Sequence, residues 1–155
     1  MRSLTQLLII LLNLFLLLCG CAQPSSTPDP DSILINNYLE TVVVNQVQGA
    51  MVGQIISTTD NQPLTNTVVR LAKVLWDDKS SEGTFVLSGA SSPGDITDEL
   101  GVFVIDELDP ADYVIVVGDV IGYNEIISES DGSAKIYTIV AGEALEIESL
   151  RVNLP

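Results

Sequence analysis

The sequence predicts an all-β fold, a Greek-key sandwich of about seven to eight short strands. Three observations predict it. Short runs dense in Val and Ile recur from about residue 49 onward, and Gly, Pro, Asn, Asp and Ser punctuate them. Within the runs apolar residues alternate with polar ones, the period of a half-buried strand, and nothing between them carries a helical repeat. Seven or eight such runs in roughly 110 residues is the strand density of a two-sheet sandwich.

The first segment, 1–20, reads as an export signal. Arg2 gives a positive start, and the apolar run from Leu7 to Leu18 is shorter than the ~20 residues a membrane-spanning helix needs. It ends in Leu18-Cys19-Gly20-Cys21, which resembles the lipobox of bacterial lipoproteins: a leucine three places before the modified cysteine and a small residue immediately before it. Only Cys21 fits, because Cys19 follows the bulky Leu18 and would leave with the cleaved peptide. The resemblance implies that Cys21 carries a lipid. At ~0.8 kcal/mol per buried methylene, two or more acyl chains hold a domain to a bilayer permanently. The expected location is the cell envelope, on the outer side of the cytoplasmic membrane or on the outer membrane.

After Cys21 the stretch 22–31 is rich in Pro and small polar residues and reads as a spacer, so 21–48 is taken as lipidated cysteine plus linker and 49–155 as the domain. Within it, 32–48 is ambiguous: Ile33, Ile35, Leu39 and Val42 to Val44 suit either a short helix or a strand. The strand candidates are 51–57, 67–76, 84–87, 102–105, 113–117, 124–127, 135–140 and 145–154. Alternation in the second points Val69 and Leu71 into the core and Arg70 to solvent. In the last, Leu145 and Ile147 share a face that Leu150, Val152 and Leu154 continue one residue out of step, which predicts a bulge near Glu148-Ser149. Asp98-Glu99-Leu100-Gly101 fits a hairpin loop with Gly101 at positive φ. Asp109-Pro110-Ala111-Asp112 should turn without a positive φ at Ala111, which alanine resists.

Two blocks of residues resemble the carboxypeptidase regulatory-like domain, a transthyretin-like sandwich. The first is Gly53-Gln54-Ile55-Ile56-Ser57 with Gln62-Pro63-Leu64 and Thr67-Val68-Val69-Arg70-Leu71. The second is Thr97-Asp98-Glu99-Leu100-Gly101-Val102-Phe103, then Leu108-Asp109-Pro110-Ala111-Asp112-Tyr113, then Gly122-Tyr123. With Ala141-Gly142-Glu143 the resemblance covers about 49–154. It departs from the family at Ala111, where glycine is preferred, and at Leu100, where Asp or Asn is. Residues 76–96 and 128–137 look like insertions, the first adding a hairpin through Phe85. The resemblance implies a non-catalytic appendage, since the family's peptidase partner is absent from this chain.

Composition narrows the chemistry. Six basic residues against 21 acidic give a net charge of −15, which repels phosphate backbones and makes nucleic acid an unlikely partner, while 46% apolar residues suffice for a packed core. The chain has no histidine, which excludes Ser-His-Asp and Cys-His catalysis and histidine-ligated metals. Its two cysteines both precede the domain, so no disulfide staples it. Asp95, Asp98, Glu99, Asp106, Asp109 and Asp112 lie on neighbouring turns and could offer calcium its oxygen ligands, but without EF-hand spacing they read first as solvated turn acids. Trp76 beside Asp77-Asp78 could stack a sugar, although a lone aromatic at a strand end is more often rim or core.

The expectation is therefore a lipid-anchored envelope protein, not an enzyme, with no catalytic residue, cofactor or metal, its sandwich serving as a structural or protein-binding module. The alternatives are a calcium-dependent or carbohydrate-binding adhesive module and, behind it, a carboxylate-based hydrolase. Envelope protein or glycan remain open as partners. The anchor is directly testable: Cys21→Ser should abolish fatty-acid labelling and leave unprocessed precursor, whereas Cys19→Ala should change neither. Labelling that persists in Cys21→Ser would contradict the assignment.

Overall fold

The computed structural model describes residues 37–42, 44–79, 82–119 and 121–154. The segment read as a signal peptide, Cys21 and the spacer 22–31 lie outside the described residues. The rest is a two-sheet β-sandwich of ten strands: β1 (Gly49–Ser57), β2 (Val68–Trp76), β3 (Gly83–Val86), β4 (Gly94–Ile96), β5 (Val102–Leu108), β6 (Asp112–Gly118), β7 (Asn124–Ile126), β8 (Ile136–Thr138), β9 (Ala144–Glu146) and β10 (Leu150–Val152). The count exceeds the expected seven to eight for two reasons. The last run is split in two, and β4, three residues behind Pro93, is too short for alternation to mark it.

In the first sheet β1 is central, antiparallel to β5 on one side and parallel to β9 and then β10 on the other. In the second, β2 and β6 form an antiparallel centre; β3 and β4 share the free edge of β2, and β7 and β8 that of β6. Three of the four edges are thus made of two short pieces. The fourth, β5, is bulged where Gly49 faces Leu108, with Glu107 at φ 52°. Interrupted edges cannot template a long ladder on another chain, so the sandwich is guarded on all four.

The main core fills the space between the sheets, with Met51, Ile55, Phe103, Ile105, Ile147, Leu150 and Val152 from the first meeting Val69, Leu71, Tyr113, Ile115, Val117 and Ile139 from the second. Leu145, Ile147, Leu150, Val152 and Leu154 all reach it, because the chain breaks between β9 and β10 where the change of step predicted a bulge. That break is stitched to β1: the buried Gln54 accepts from the Ser149 hydroxyl at 2.8 Å and donates to the Leu100 carbonyl at 2.9 Å.

Each residue of the Thr-Asp-x-x-Gly-x-Phe turn has a mechanical task. Buried Thr97 donates to the Leu64 carbonyl at 2.6 Å and accepts from the Thr67 amide at 2.9 Å. Asp98 accepts from the Leu100 and Val102 amides at 2.8 and 2.9 Å. Gly101 sits at φ 73°, as expected. Leu100 joins the turn through its backbone, donating to Asp98 and accepting from Gln54, and its side chain is partly exposed. In the next turn Ala111 avoids positive φ, and the Tyr113 hydroxyl bonds back to the Asp109 carbonyl at 3.0 Å, a tyrosine corner. Tyr137, its cross-strand neighbour on β8, is buried with no hydrogen-bond partner for its hydroxyl among the described residues, and burial pushes its phenol up to about 12.

Arg70 corrects an expectation. It faces outward, but the segment carrying Ser92 and Gly94 lies against it, and its Nε is buried without a hydrogen-bond partner among the described residues. The ambiguous stretch is settled in part: 37–39 are helical, and Tyr38, Leu39 and Val42 pack on Val52 and Val102 at the outer face of the first sheet. Every residue of β1 is consequently buried.

The Tyr38 hydroxyl donates to Asp98 Oδ2 and clasps this segment to the turn. Partial burial works to raise the Asp98 carboxyl, but the hydrogen bonds from Tyr38 and the Val102 and Leu100 amides outweigh it and hold the group below its ordinary range. The same bond raises the Tyr38 phenol. A lowered carboxylate stabilises the fold above its unfolded pKa of ~3.9, and that contribution is lost as pH falls through the lowered value; the raised phenol contributes below ~10 and its share is lost as pH climbs through the raised one. Tyr38→Phe should therefore cost about 1 kcal/mol near neutral pH. Melting temperatures should fall at a higher pH on the acid side in the variant than in the parent. Superimposable pH profiles would show that the clasp contributes nothing.

Candidate functional site: an aromatic groove on the second sheet

The two faces of the second sheet differ. The inner face closes the core; the outer carries a second cluster, Ala72, Val74, Val114 and Val116, partly covered by Leu87 and Ala134. Leu87 and Ala134 belong to the two segments read as insertions. These fold over the sheet from opposite edges and leave a groove of about 260 Å3 between them, lined by Val74, Trp76, Phe85, Val114, Ala134 and Ile136 among others.

Pairing explains why these side chains share a face, since residues directly opposite in neighbouring strands point the same way. Phe85 stands opposite Val74, Gly83 opposite Trp76, Ile136 opposite Val114, and Thr138 opposite Asp112. The expected hairpin through Phe85 is β3. Leu75 and Val86, also exposed, alternate onto the other face of that hairpin and do not extend the groove.

Trp76, the only tryptophan in the chain, is fixed at two ends. Its Nε1–H donates to Asp112 Oδ2 at 2.7 Å across the sheet toward β6. Toward β3, a Cβ on Gly83 would lie 2.9 Å from Cζ3 and 3.0 Å from Cε3, so the six-membered ring rests on glycine backbone. Thr138 holds the other oxygen of Asp112 at 2.6 Å. Tied to β6 at one end and seated on β3 at the other, the indole lies along the sheet, and it is 48% exposed.

The turn acids are arranged differently from a ligand cage. Asp95 accepts from the Ile96 amide and, through Oδ2, from the Val104 amide on the open edge of β5, both at 2.8 Å. Asp98 is engaged by Tyr38 and two amides, and Asp112 by Trp76 and Thr138. Glu99 and Asp109 are exposed on their turns, and Asp106 on β5. Among the described residues no group of three or more acidic, cysteine or histidine side chains stands close enough to hold a metal ion. The sequence offers Trp76 as a residue that could stack a sugar, but not what fixes it there, because Gly83 and Asp112 meet it only through strand pairing.

No family model matches the chain, and no curated protein matches it. Among solved structures it is similar to a 9R-lipoxygenase from Cyanothece, at 18% identity and a TM-score of 0.39 over 77% of this chain and 20% of that one. It is also similar to the major pilin subunit of Bacillus cereus, at 14% identity and a TM-score of 0.42 over 70% of this chain and 30% of that one. A third is a proposed carbohydrate-binding protein of Pseudomonas aeruginosa, at 18% identity and a TM-score of 0.40 over 75% of this chain and 96% of that one. The chain spans 30% or less of the length of the first two. The assignment of the sandwich rests on its own strand pairing.

Proposed function

We propose that the chain is a non-catalytic binding module, held in the cell envelope through a lipid on Cys21, whose sandwich displays the outer face of its second sheet. One observation carries this reading. Of the turn acids, Asp95 and Asp98 hold an edge and a turn, Asp112 holds the Trp76 indole, and Glu99, Asp106 and Asp109 lie exposed without gathering into a cage among the described residues, whereas the apolar groove around Trp76 is left open. Kinship with carboxypeptidase regulatory-like domains is part of the proposal, supported by the structural tasks that Thr97, Asp98, Gly101 and Tyr113 perform at the places the resemblance assigns them. An anchored module of this kind needs no cofactor; its partner is another envelope component.

A calcium-dependent module would behave differently. Calcium binding to the folded state alone would raise stability by about 2.7 kcal/mol at a hundredfold excess over Kd. The purified chain should therefore melt at nearly the same temperature in chelator, in millimolar calcium and in millimolar magnesium, with a small rise common to both ions from screening of its net charge of −15. A large calcium-specific rise, abolished by Asp98→Asn or Asp109→Asn, would replace this reading with a calcium-dependent one.

A further inference from the structure

We propose that the groove on the outer face of the second sheet binds a neutral polysaccharide, with Trp76 as the platform on which one pyranose ring stacks. This deepens the binding-module reading and rests on it. The first argument is the state of the indole. Its only polar hydrogen is engaged by Asp112, Asp112 is itself held by Thr138, and the ring is seated on Gly83. What remains for a ligand is a flat π face, electron-rich and fixed in orientation, and its natural complement is a flat surface of weakly positive C–H groups. A pyranose presents such a surface and carries hydroxyls around its rim.

Size and charge narrow the occupant further. Trp76, Phe85 and Ile136 are each between about a third and a half exposed, which gives roughly 250 Å2 of apolar surface. A stable protein partner would need about 800 Å2 on this side alone. A sugar ring needs far less, and the adjoining cavity of about 260 Å3 leaves room for a neighbouring unit between Phe85 and Ile136. The net charge of −15, with Asp77, Asp78 and Glu82 at the end of the same hairpin, repels acidic glycans and phosphate polymers. Finally, both segments read as insertions converge on this face and build the groove, which a sandwich made only to be stable has no need of.

Because Trp76 is the only tryptophan, its fluorescence reports the platform directly. The full chain in detergent would be titrated with cellohexaose, maltohexaose and chitohexaose, with polygalacturonate as the acidic control, and retention in gels containing the parent polysaccharides would be measured in parallel. At least one neutral hexasaccharide should give a saturable emission change, and polygalacturonate none. Trp76→Ala should weaken retention about tenfold, equivalent to roughly 1.4 kcal/mol, and Trp76→Phe by less. Asp112→Ala should weaken it while red-shifting emission, and Tyr123→Ala, an exposed aromatic on a distant loop, should leave it unchanged, with melting curves confirming that each variant is folded. Absence of saturable binding by all three neutral sugars, equal binding of polygalacturonate, or retention indifferent to Trp76→Ala would each overturn the proposal. A photo-crosslinker in place of Phe85 separates the two readings. No sugar binding with a Trp76-dependent protein crosslink sinks the glycan and keeps the binding face; no sugar binding and no crosslink sinks both.

Discussion

One close approach organises the fold: the ring of Phe103 lies over the backbone of β1 at Gly53. The two residues are cross-strand partners, and a Cβ on Gly53 would stand 2.7 Å from Phe103 Cζ and 2.8 Å from Cε1. A glycine inside a strand weakens it through lost conformational entropy and missing side-chain contact. Here the missing side chain is replaced by an aromatic ring, fully buried at the centre of the main core. Because β1 also pairs with β9 and β10, this contact locates β5, both halves of the broken edge strand and the facing second sheet at once. The Thr97 to Gly101 turn that delivers Phe103 is correspondingly over-determined, held by Thr97, Asp98, Gln54 and the clasp from Tyr38.

The same arrangement occurs a second time, with the opposite consequence. Trp76 lies over Gly83 across the β2–β3 pair as Phe103 lies over Gly53 across the β1–β5 pair. Inside the sandwich the ring is covered by the other sheet and contributes to stability. Outside it, nothing in the described structure covers the ring's outer side, and Asp112 keeps the indole from swinging away. A shared local geometry thus gives a core in one place and a presented surface in the other.

Local features were legible in the sequence and non-local ones were not. Gly101 announced its positive φ because a short loop between two apolar runs leaves few alternatives, and the change of step after Ile147 announced an irregularity, read as a bulge, where the structure breaks the run into β9 and β10. Faces of β2 followed from alternation at Val69 and Leu71. By contrast β4 is three residues following a proline, below the length at which a period can be read. Glu107 adopts φ 52°, a conformation its residue type does not advertise, because a bulge opposite Gly49 demands it. Alternation puts Arg70 on the outer face but cannot see the segment that folds across it. The groove was the least legible feature: Trp76, Phe85, Asp112 and Ile136 are far apart in the chain, and only strand register sets them side by side.

The central claim is that Gly53 is glycine because Phe103 occupies the place of its side chain, and a double-mutant cycle in thermal or urea unfolding tests it most directly. Gly53→Ala alone should destabilise the chain by about 1–3 kcal/mol through overpacking, although alanine would ordinarily strengthen a strand. In a Phe103→Leu background, where the ring no longer reaches β1, the same substitution should cost at least about 1 kcal/mol less, the coupling expected of residues in contact. A Gly53→Ala variant as stable as the parent, or one equally destabilised whether residue 103 is Phe or Leu, would contradict the account.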